Sequence, residues 1–217
     1  MVAYITPGTA FDKHGRPFRR RNYVPGLAML AVLAVVALVF WLVAFNRPSE
    51  VQQALACNAP PPGTGAADQP TLGERVPVSD MSDVVPAKLV DTKINVLNAS
   101  GQGGQAAEVA GALRDLGFAQ PNAANDPVYA EVRLACQGQI RFGPAGRAAA
   151  AAVWLVAPCT ELYQDQRGDD TVDFAVGTEY TELSHNDDTD AMLESLRPDA
   201  TQPPDPALLS KIHGAAC

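Results

Sequence analysis

The chain opens with a continuous apolar block and only later alternates between apolar and polar positions. The block is Gly26 to Phe45, twenty residues without a charged side chain. As a helix it would span about 30 Å, which is the thickness of the hydrocarbon core of a bilayer. The pattern therefore predicts a single transmembrane helix over residues 26–45.

A strand followed by an amphipathic helix is predicted after residue 92. The segment "KINVLN" (Lys93–Asn98) is rich in β-forming residues and is followed by the small and polar run "ASGQGG". Apolar residues then recur at helical spacing, at Ala106, Val109, Ala110, Leu113 and Leu116. Gly117 stands where a helix commonly ends in the left-handed conformation.

A second strand-helix unit and two more strands follow. After a weak extended segment at 118–126, interrupted by Pro121, we expect a strand over 138–143 and an alanine-rich helix over 144–157. Further strands are expected in "TELYQD" (160–165) and "TVDFAVG" (171–177). The order β-α-β-β-α-β-β predicts an α+β fold, a small sheet with two helices on one face.

These elements divide the chain into five parts. We expect a basic tail at 1–25, the membrane helix at 26–45, a stalk rich in proline and glycine at 46–92, the α+β domain at 93–178 and an acidic C-terminal extension at 179–217. Short helices are expected in the extension, around Asp190–Leu196 and Pro206–His213.

Charge orients the chain in the membrane. Residues 1–25 carry five basic side chains and one acid, whereas residues 46–217 carry 11 basic and 23 acidic side chains, a net charge of −12. The positive-inside rule places the basic tail in the cytoplasm and the acidic part outside. Because this region is so acidic, it repels phosphate backbones, and we expect no nucleic-acid partner. A cleaved, secreted form is the alternative, because "ALAC" (Ala54–Cys57) contains small residues at cleavage spacing.

The four cysteines predict disulfides rather than a metal site. Cys57, Cys136, Cys159 and Cys217 include no C-x-x-C pair, whereas zinc sites usually need one. An even number of scattered cysteines outside a membrane indicates two disulfides. Three pairings can form. We expect Cys136 to pair with Cys159, because a strand and the helix packed on it bring those ends together, and Cys57 with Cys217.

The turn after the first strand is the candidate ligand site. Its residues are Asn98, Ser100, Gly101, Gly103 and Gly104. Gly101, Gly103 and Ala106 spell G-x-G-x-x-A, and Asp126 lies where a dinucleotide fold places its ribose acid, but the remaining length is too short for a doubly wound sheet. The glycines suit a tight turn and Ser100 suits capping, while the free amides at the helix start leave an anion site as the other interpretation.

No arrangement of residues predicts catalysis, a metal or a cofactor. His185 lacks a serine on a G-x-S-x-G elbow, and the acids after it lack calcium-loop spacing and its glycine. We therefore expect a protein that is not an enzyme. The alternative is an enzyme acting on wall polymers, which would use Asp187, Asp188 and Asp190 with a metal.

Two stretches carry a family resemblance. The segments "VLNASGQGGQAAEVAGALRDLGF" and "IRFGPAGRAAAAAVWLV" resemble the LytR C-terminal domain over about residues 92–177, with Ala99 in place of the usual glycine. The resemblance implies a single-pass protein with its domain outside the membrane, supporting the envelope. We expect it to act as a binding or scaffold module whose partner is a cell-wall polymer or an envelope-assembly protein. In glycopolymer-ligase relatives this domain accompanies a separate catalytic domain, which this chain is too short to hold.

The two predicted disulfides are testable by mass. Alkylation of the intact chain should modify cysteines only after reduction, because disulfide sulfurs do not react. Intact-mass spectrometry of reduced and unreduced samples measures the difference. Equal masses after alkylation would refute both disulfides.

Overall fold

The computed structural model describes residue 14 and residues 23–46, 56–61 and 72–214. The chain divides into two compact units, residues 1–48 and 49–217. The first contains helix α1, Val24–Asn46, whose side chains are exposed through residue 41. Its window Val24–Trp41 has a mean hydropathy of 2.5 and is long and apolar enough to cross a membrane. The predicted helix is therefore present, two residues longer at its start and one at its end.

The second unit is built on one six-stranded sheet. Its strands run in the order β1-β5-β4-β6-β2-β3. They are β1 (Glu74–Arg75), β2 (Ile94–Asn98), β3 (Asn122–Asn125), β4 (Gly138–Phe142), β5 (Glu161–Gln164) and β6 (Val172–Val176). Five of the six strands lie where the sequence predicts them. The exception is β1, which pairs antiparallel with β5 at one edge of the sheet.

Within residues 72–214, four helices accompany this sheet. They are α2 (Gln105–Asp115), α3 (Arg147–Val156), α4 (Asp187–Ser195) and α5 (Pro206–His213). Three short 3₁₀ turns lie at Val78–Asp80, Leu89–Asp91 and Pro144–Gly146. The two short helices predicted in the acidic extension correspond to α4 and α5. Gly117 follows α2 with a φ of 101°, the left-handed conformation expected of a glycine in that position.

Two β-α-β units flank the last strand. β2 pairs parallel with β3 across α2, and β4 pairs parallel with β5 across α3. Parallel neighbours need a crossover of this kind, which a helix supplies. β6 lies between the units, parallel to β2 and antiparallel to β4. The result is a mixed α+β fold.

One face of the sheet is apolar and forms the main core. Alternate strand residues such as Ile140, Phe142 and Phe174 are fully buried there, in one cluster with the apolar residues of α2 and α3. The alanines of α3 are buried as well, and their small side chains allow close packing. Trp154 of α3 is stacked on His213 of α5, with ring centroids 3.9 Å apart. The acidic extension thus packs against this core.

The opposite face carries polar residues and is covered by irregular segments. Buried residues there include Gln139 and Arg141 of β4, together with Tyr129, Leu134 and Cys136 from the loop that precedes β4. Among the described residues, the apolar cluster on this face contains no helical residue. Main-chain groups and side chains from the loop itself satisfy the polar atoms instead, as buried groups require.

A disulfide fastens residues 56–61 to this second face. Cys57 is bonded to Cys136, 79 residues away in sequence. The predicted pairs Cys136–Cys159 and Cys57–Cys217 are therefore wrong, because Cys136 lies on the second face whereas Cys159 follows α3 on the first. Cys159 is also disulfide-bonded. Cys217 lies outside the described residues.

Asn58 extends the attachment made by the disulfide. Its Nδ2 donates to the carbonyl of Arg133 (3.1 Å), and its Oδ1 accepts from the N–H of Ala135 (2.6 Å). The hydroxyl of Tyr129 donates to the main-chain carbonyl oxygen of Asn58 (2.8 Å). Composition alone predicted an irregular stalk over 46–92. Residues 56–61 and 72–92 instead lie against the folded domain, since these long-range contacts and β1 offset their weak local propensity.

Removing the disulfide should lower stability. In the chain-entropy model, closing a loop of this length stabilises the fold by about 4.5 kcal/mol, and native disulfides typically contribute about 2–5 kcal/mol. We expect Cys57→Ala/Cys136→Ala to lower the free energy of unfolding within that range, measured by denaturant unfolding of the full chain in nanodiscs. Peptide mapping should recover the Cys57–Cys136 linked peptide from the wild type. An unchanged unfolding midpoint would contradict this role.

His213 should make stability depend on pH. Burial against Trp154 lowers the pKa of His213 below its usual value of 6.5, although its Nδ1 lies 3.4 Å from the carbonyl oxygen of Ser82. The unfolded chain then binds the proton more readily, so stability falls as the pH drops below about 6.5. His213→Phe keeps a stacked ring without titrating. We expect a smaller loss of melting temperature between pH 7.5 and 5 in this variant. Identical pH profiles would exclude His213 as the cause.

Candidate functional site

The predicted ligand-binding residues lie together on the loop between β2 and α2. Asn98 ends β2, and its Oδ1 accepts from the N–H groups of Ser100 and Gly101, each at 3.2 Å. Its Nδ2 donates to the carbonyl of Gln102 at 2.7 Å. This side chain therefore holds the turn in shape, and its polar atoms are already engaged.

Ser100 connects the turn to the helix. It is 5% exposed, accepts from the N–H of Gln102 at 3.0 Å and lies 2.5 Å from Oε1 of Gln105, to which it donates. The capping expected of Ser100 is thus directed at a loop amide, while the N-cap of α2 is Gly104, with a φ of 84° and no side-chain cap. Positions Gly103 and Gly104 face open space.

A groove opens beside this loop. It has a volume of about 320 Å³ and lies between α2 and the extended segment Tyr180–Leu183. Gln102, Gln105 and Glu108 line one side. Tyr180 and Glu182 line the other, from the start of the acidic extension. The groove therefore combines residues about 75 positions apart in sequence.

Tyr180, which lines the groove, packs on the sheet. Its ring meets Phe174 of β6 edge to face, with centroids 6.2 Å apart and planes at 72°. Burial raises the pKa of the Tyr180 hydroxyl to about 12, and the carboxylates of Glu108 and Glu182 add to the rise. These carboxylates therefore lie close to the phenol, which stays neutral at physiological pH.

Asp126, which stands at the sequence position of a ribose acid, lies elsewhere. Its carboxylate is buried on the second face, 2.8 Å from the guanidinium of Arg141. Its Oδ1 also accepts from the N–H groups of Val128 and Tyr129. Gln139 accepts two further bonds from Arg141, at 2.9 and 3.2 Å. Asp126 is therefore a structural anchor that no ligand can reach.

The acids of the alternative enzyme model do not converge. Asp188 pairs with Lys211 of α5 at 2.7 Å, and Asp190 lies 3.3 Å from the exposed His185. Both belong to the first turn of α4, which Asn186 caps by accepting from Thr189. Across the described residues, no three histidine, cysteine, aspartate or glutamate side chains are placed to hold a metal ion. The arrangement is that of a solvated helix start.

Sequence patterns located the loop but missed half of the groove. Gln102, Gln105 and Glu108 fall inside the predicted turn and helix, whereas Tyr180, Thr181 and Glu182 sit in a segment without periodicity. The cue present in the sequence was a lone aromatic residue in a polar stretch that follows the last strand. It carries no information about which helix lies opposite.

The fold and the loop place the domain in a recognised class. The family model described as LytR cell envelope-related transcriptional attenuator, LytR_C, matches residues 91–180. These limits enclose the strands and helices from β2 to β6. The domain is thus of the LytR C-terminal type, as the two quoted stretches indicated.

Whole-chain similarity narrows the assignment. The chain is 66% identical over 218 aligned residues to the cell envelope integrity protein Cei of Mycobacterium tuberculosis, covering all of both chains. It therefore belongs to the Cei family, and the related actinobacterial protein has an envelope role by name. A crystal structure of the soluble domain of a conserved hypothetical secreted protein from Mycobacterium marinum is also similar. It is 70% identical, with a TM-score of 0.66, covering 67% of this chain and 99% of that one.

Proposed function

We propose that this chain is a membrane-anchored protein that supports cell-envelope integrity from outside the cytoplasm, without catalysis. It would act by binding a wall component or an envelope-assembly protein. The observation that carries the proposal is the 66% identity to an envelope integrity protein along the whole chain, anchor region included. Similarity restricted to the folded domain would support a shared fold alone.

The anchor and its orientation support the location. Helix α1 has the length and composition of a membrane span, and the basic residues before it favour a cytoplasmic N-terminus. The disulfides suit an oxidising compartment outside the cytoplasm. A released, secreted form is the second location, in keeping with the description of the Mycobacterium marinum relative as secreted.

The arrangement of the domain supports a binding role. We infer that α2 and α3 both cover one face of the sheet, since they share a single core with its strands. Residues 101–104 of the loop are then exposed at the edge of that helical layer, beside the groove. Binding surfaces commonly lie on loops that a rigid sheet positions. We propose that the domain extends over residues 93–178, with the segments before and after it packing on its core.

The catalytic alternative has less physical support. A metal-assisted hydrolase needs carboxylates that converge on one ion. Asp187, Asp188 and Asp190 instead share a capped helix turn, and the partner of Asp188 is a lysine rather than another metal-binding acid.

Complementation separates these two functions. In an actinobacterium lacking its own relative, we expect the wild-type chain and Asp187→Ala/Asp188→Ala/Asp190→Ala to restore exclusion of a fluorescent dye equally, because the acids do not participate in binding. Dye uptake at matched protein level is the measurement. Failure of the triple variant alone would support the enzyme, and failure of the wild type would refute the envelope role.

A further inference from the structure

The groove between α2 and the segment Tyr180–Leu183 has the size of a small ligand site. Pockets for small ligands run from about 300 to 1,000 Å³. At about 320 Å³, this groove accommodates a small group such as one sugar ring. Two of its lining side chains are held by neighbours, because Tyr180 packs on Phe174 and Ser100 donates to Gln105.

Two carboxylates in the groove have no cationic partner among the described residues. Glu108 comes from α2 and Glu182 from the extension, and both are exposed. Within the part of the chain that the structure describes, neither takes part in a salt bridge. The acceptors are therefore available to a ligand that donates hydrogen bonds.

Donors lie beside these acceptors. Gln105 is 7% exposed and lines the groove, and Ser100 engages its Oε1. Among the described residues, the amide nitrogen of Gln105 makes no hydrogen bond and is not one of the fully buried polar atoms, so it is open to solvent and can donate to a ligand in the groove. Gln102 and Thr181 add an exposed amide and an exposed hydroxyl.

The mixture of groups selects the ligand. Hydroxyl groups donate to carboxylates and accept from amides, so a sugar ring satisfies both sets. An ammonium ion would use the carboxylates and leave the amide donors unmet, because it accepts no hydrogen bond. A phosphate or uronate would be repelled by Glu108 and Glu182. The ring of Tyr180 adds an apolar surface with a polar tip.

We propose that the groove lined by Gln102, Gln105, Glu108, Tyr180, Thr181 and Glu182 binds a neutral, hydroxyl-rich saccharide. This inference rests on the proposed binding function and names the chemistry of its ligand. Gln105 is oriented for this purpose by the loop at Asn98–Ser100. The loop is thus a positioning element, and the sugar lies in the groove next to it.

The probe is a panel of neutral oligosaccharides built from pentose, hexose and N-acetylhexosamine units. The panel includes N-acetylglucosamine trimer and its deacetylated, cationic counterpart, which differ only in charge and acetylation. The full chain is embedded in phosphatidylcholine nanodiscs, since sugar-headed detergents would compete. We expect binding to at least one neutral glycan, measured by array fluorescence and then by titration calorimetry.

Matched variants assign the binding to the groove. Glu108→Gln/Glu182→Gln should weaken Kd for the best neutral glycan at least tenfold, because charged acceptors bond hydroxyls more strongly than amides do. Asp115→Asn/Glu179→Gln removes the same two charges from exposed positions outside the groove and should stay within twofold of the wild type. Melting temperature controls for folding in both variants.

Three results would overturn the inference. They are no neutral glycan bound, equal Kd in the groove variant and the wild type, or tighter binding of the cationic trimer. The dye-exclusion assay keeps this failure separate from that of the proposed function. If Glu108→Gln/Glu182→Gln still restores dye exclusion, the saccharide site is wrong while the envelope role stands. If the wild type fails to restore exclusion, the envelope role itself is wrong.

Discussion

The buried ion pair between Asp126 and Arg141 constrains the second face of the sheet. A guanidinium in the middle of a central strand cannot remain unpaired away from water, and removing one partner of such a pair costs about 3–5 kcal/mol. The carboxylate comes from the residue that follows β3, so the chain must return across the sheet there. Tyr129 follows, with Arg141 5.6 Å from its ring centroid. The ion pair thus positions the loop that covers this face and the cysteine of its disulfide.

The two faces of the sheet consequently differ in how they are held. The first is closed by helices and apolar packing, which depends on total buried area and tolerates variation in detail. The second is closed by specific pairs, from Arg141 to Asp126, from Asn58 to the loop and from Cys57 to Cys136. Each of these contacts requires one particular partner, so the packing of this face depends more strictly on individual residues. The groove lies at the helical side, where α2 and the acidic extension meet.

Periodicity was sufficient to predict most of the elements. Helical spacing from Ala106 to Leu116 and the alternating run around Phe174 each report a face that water does not reach. Residues 56–61 and 72–75 illustrate the limit, since the sequence around them has the composition of a linker. The disulfide holds the first of these segments in place and the two-residue strand β1 holds the second, and neither leaves a local pattern. The wrong cysteine pairing has the same origin, because spacing along the chain does not tell which face a loop covers.

By itself the sequence determined the membrane-length helix, the order of strands and helices, the loop at Asn98–Gly104 and the acidic character of residues 46–217. All of these follow from side chains close in sequence, through hydrophobic spacing, turn propensity and charge. Tertiary structure alone decided that Arg141 is buried against Asp126, that Cys57 reaches Cys136 and that Tyr180 faces Glu108. Each of these joins residues far apart in the chain. Their proximity depends on how strands pair and layers close, which no local preference encodes.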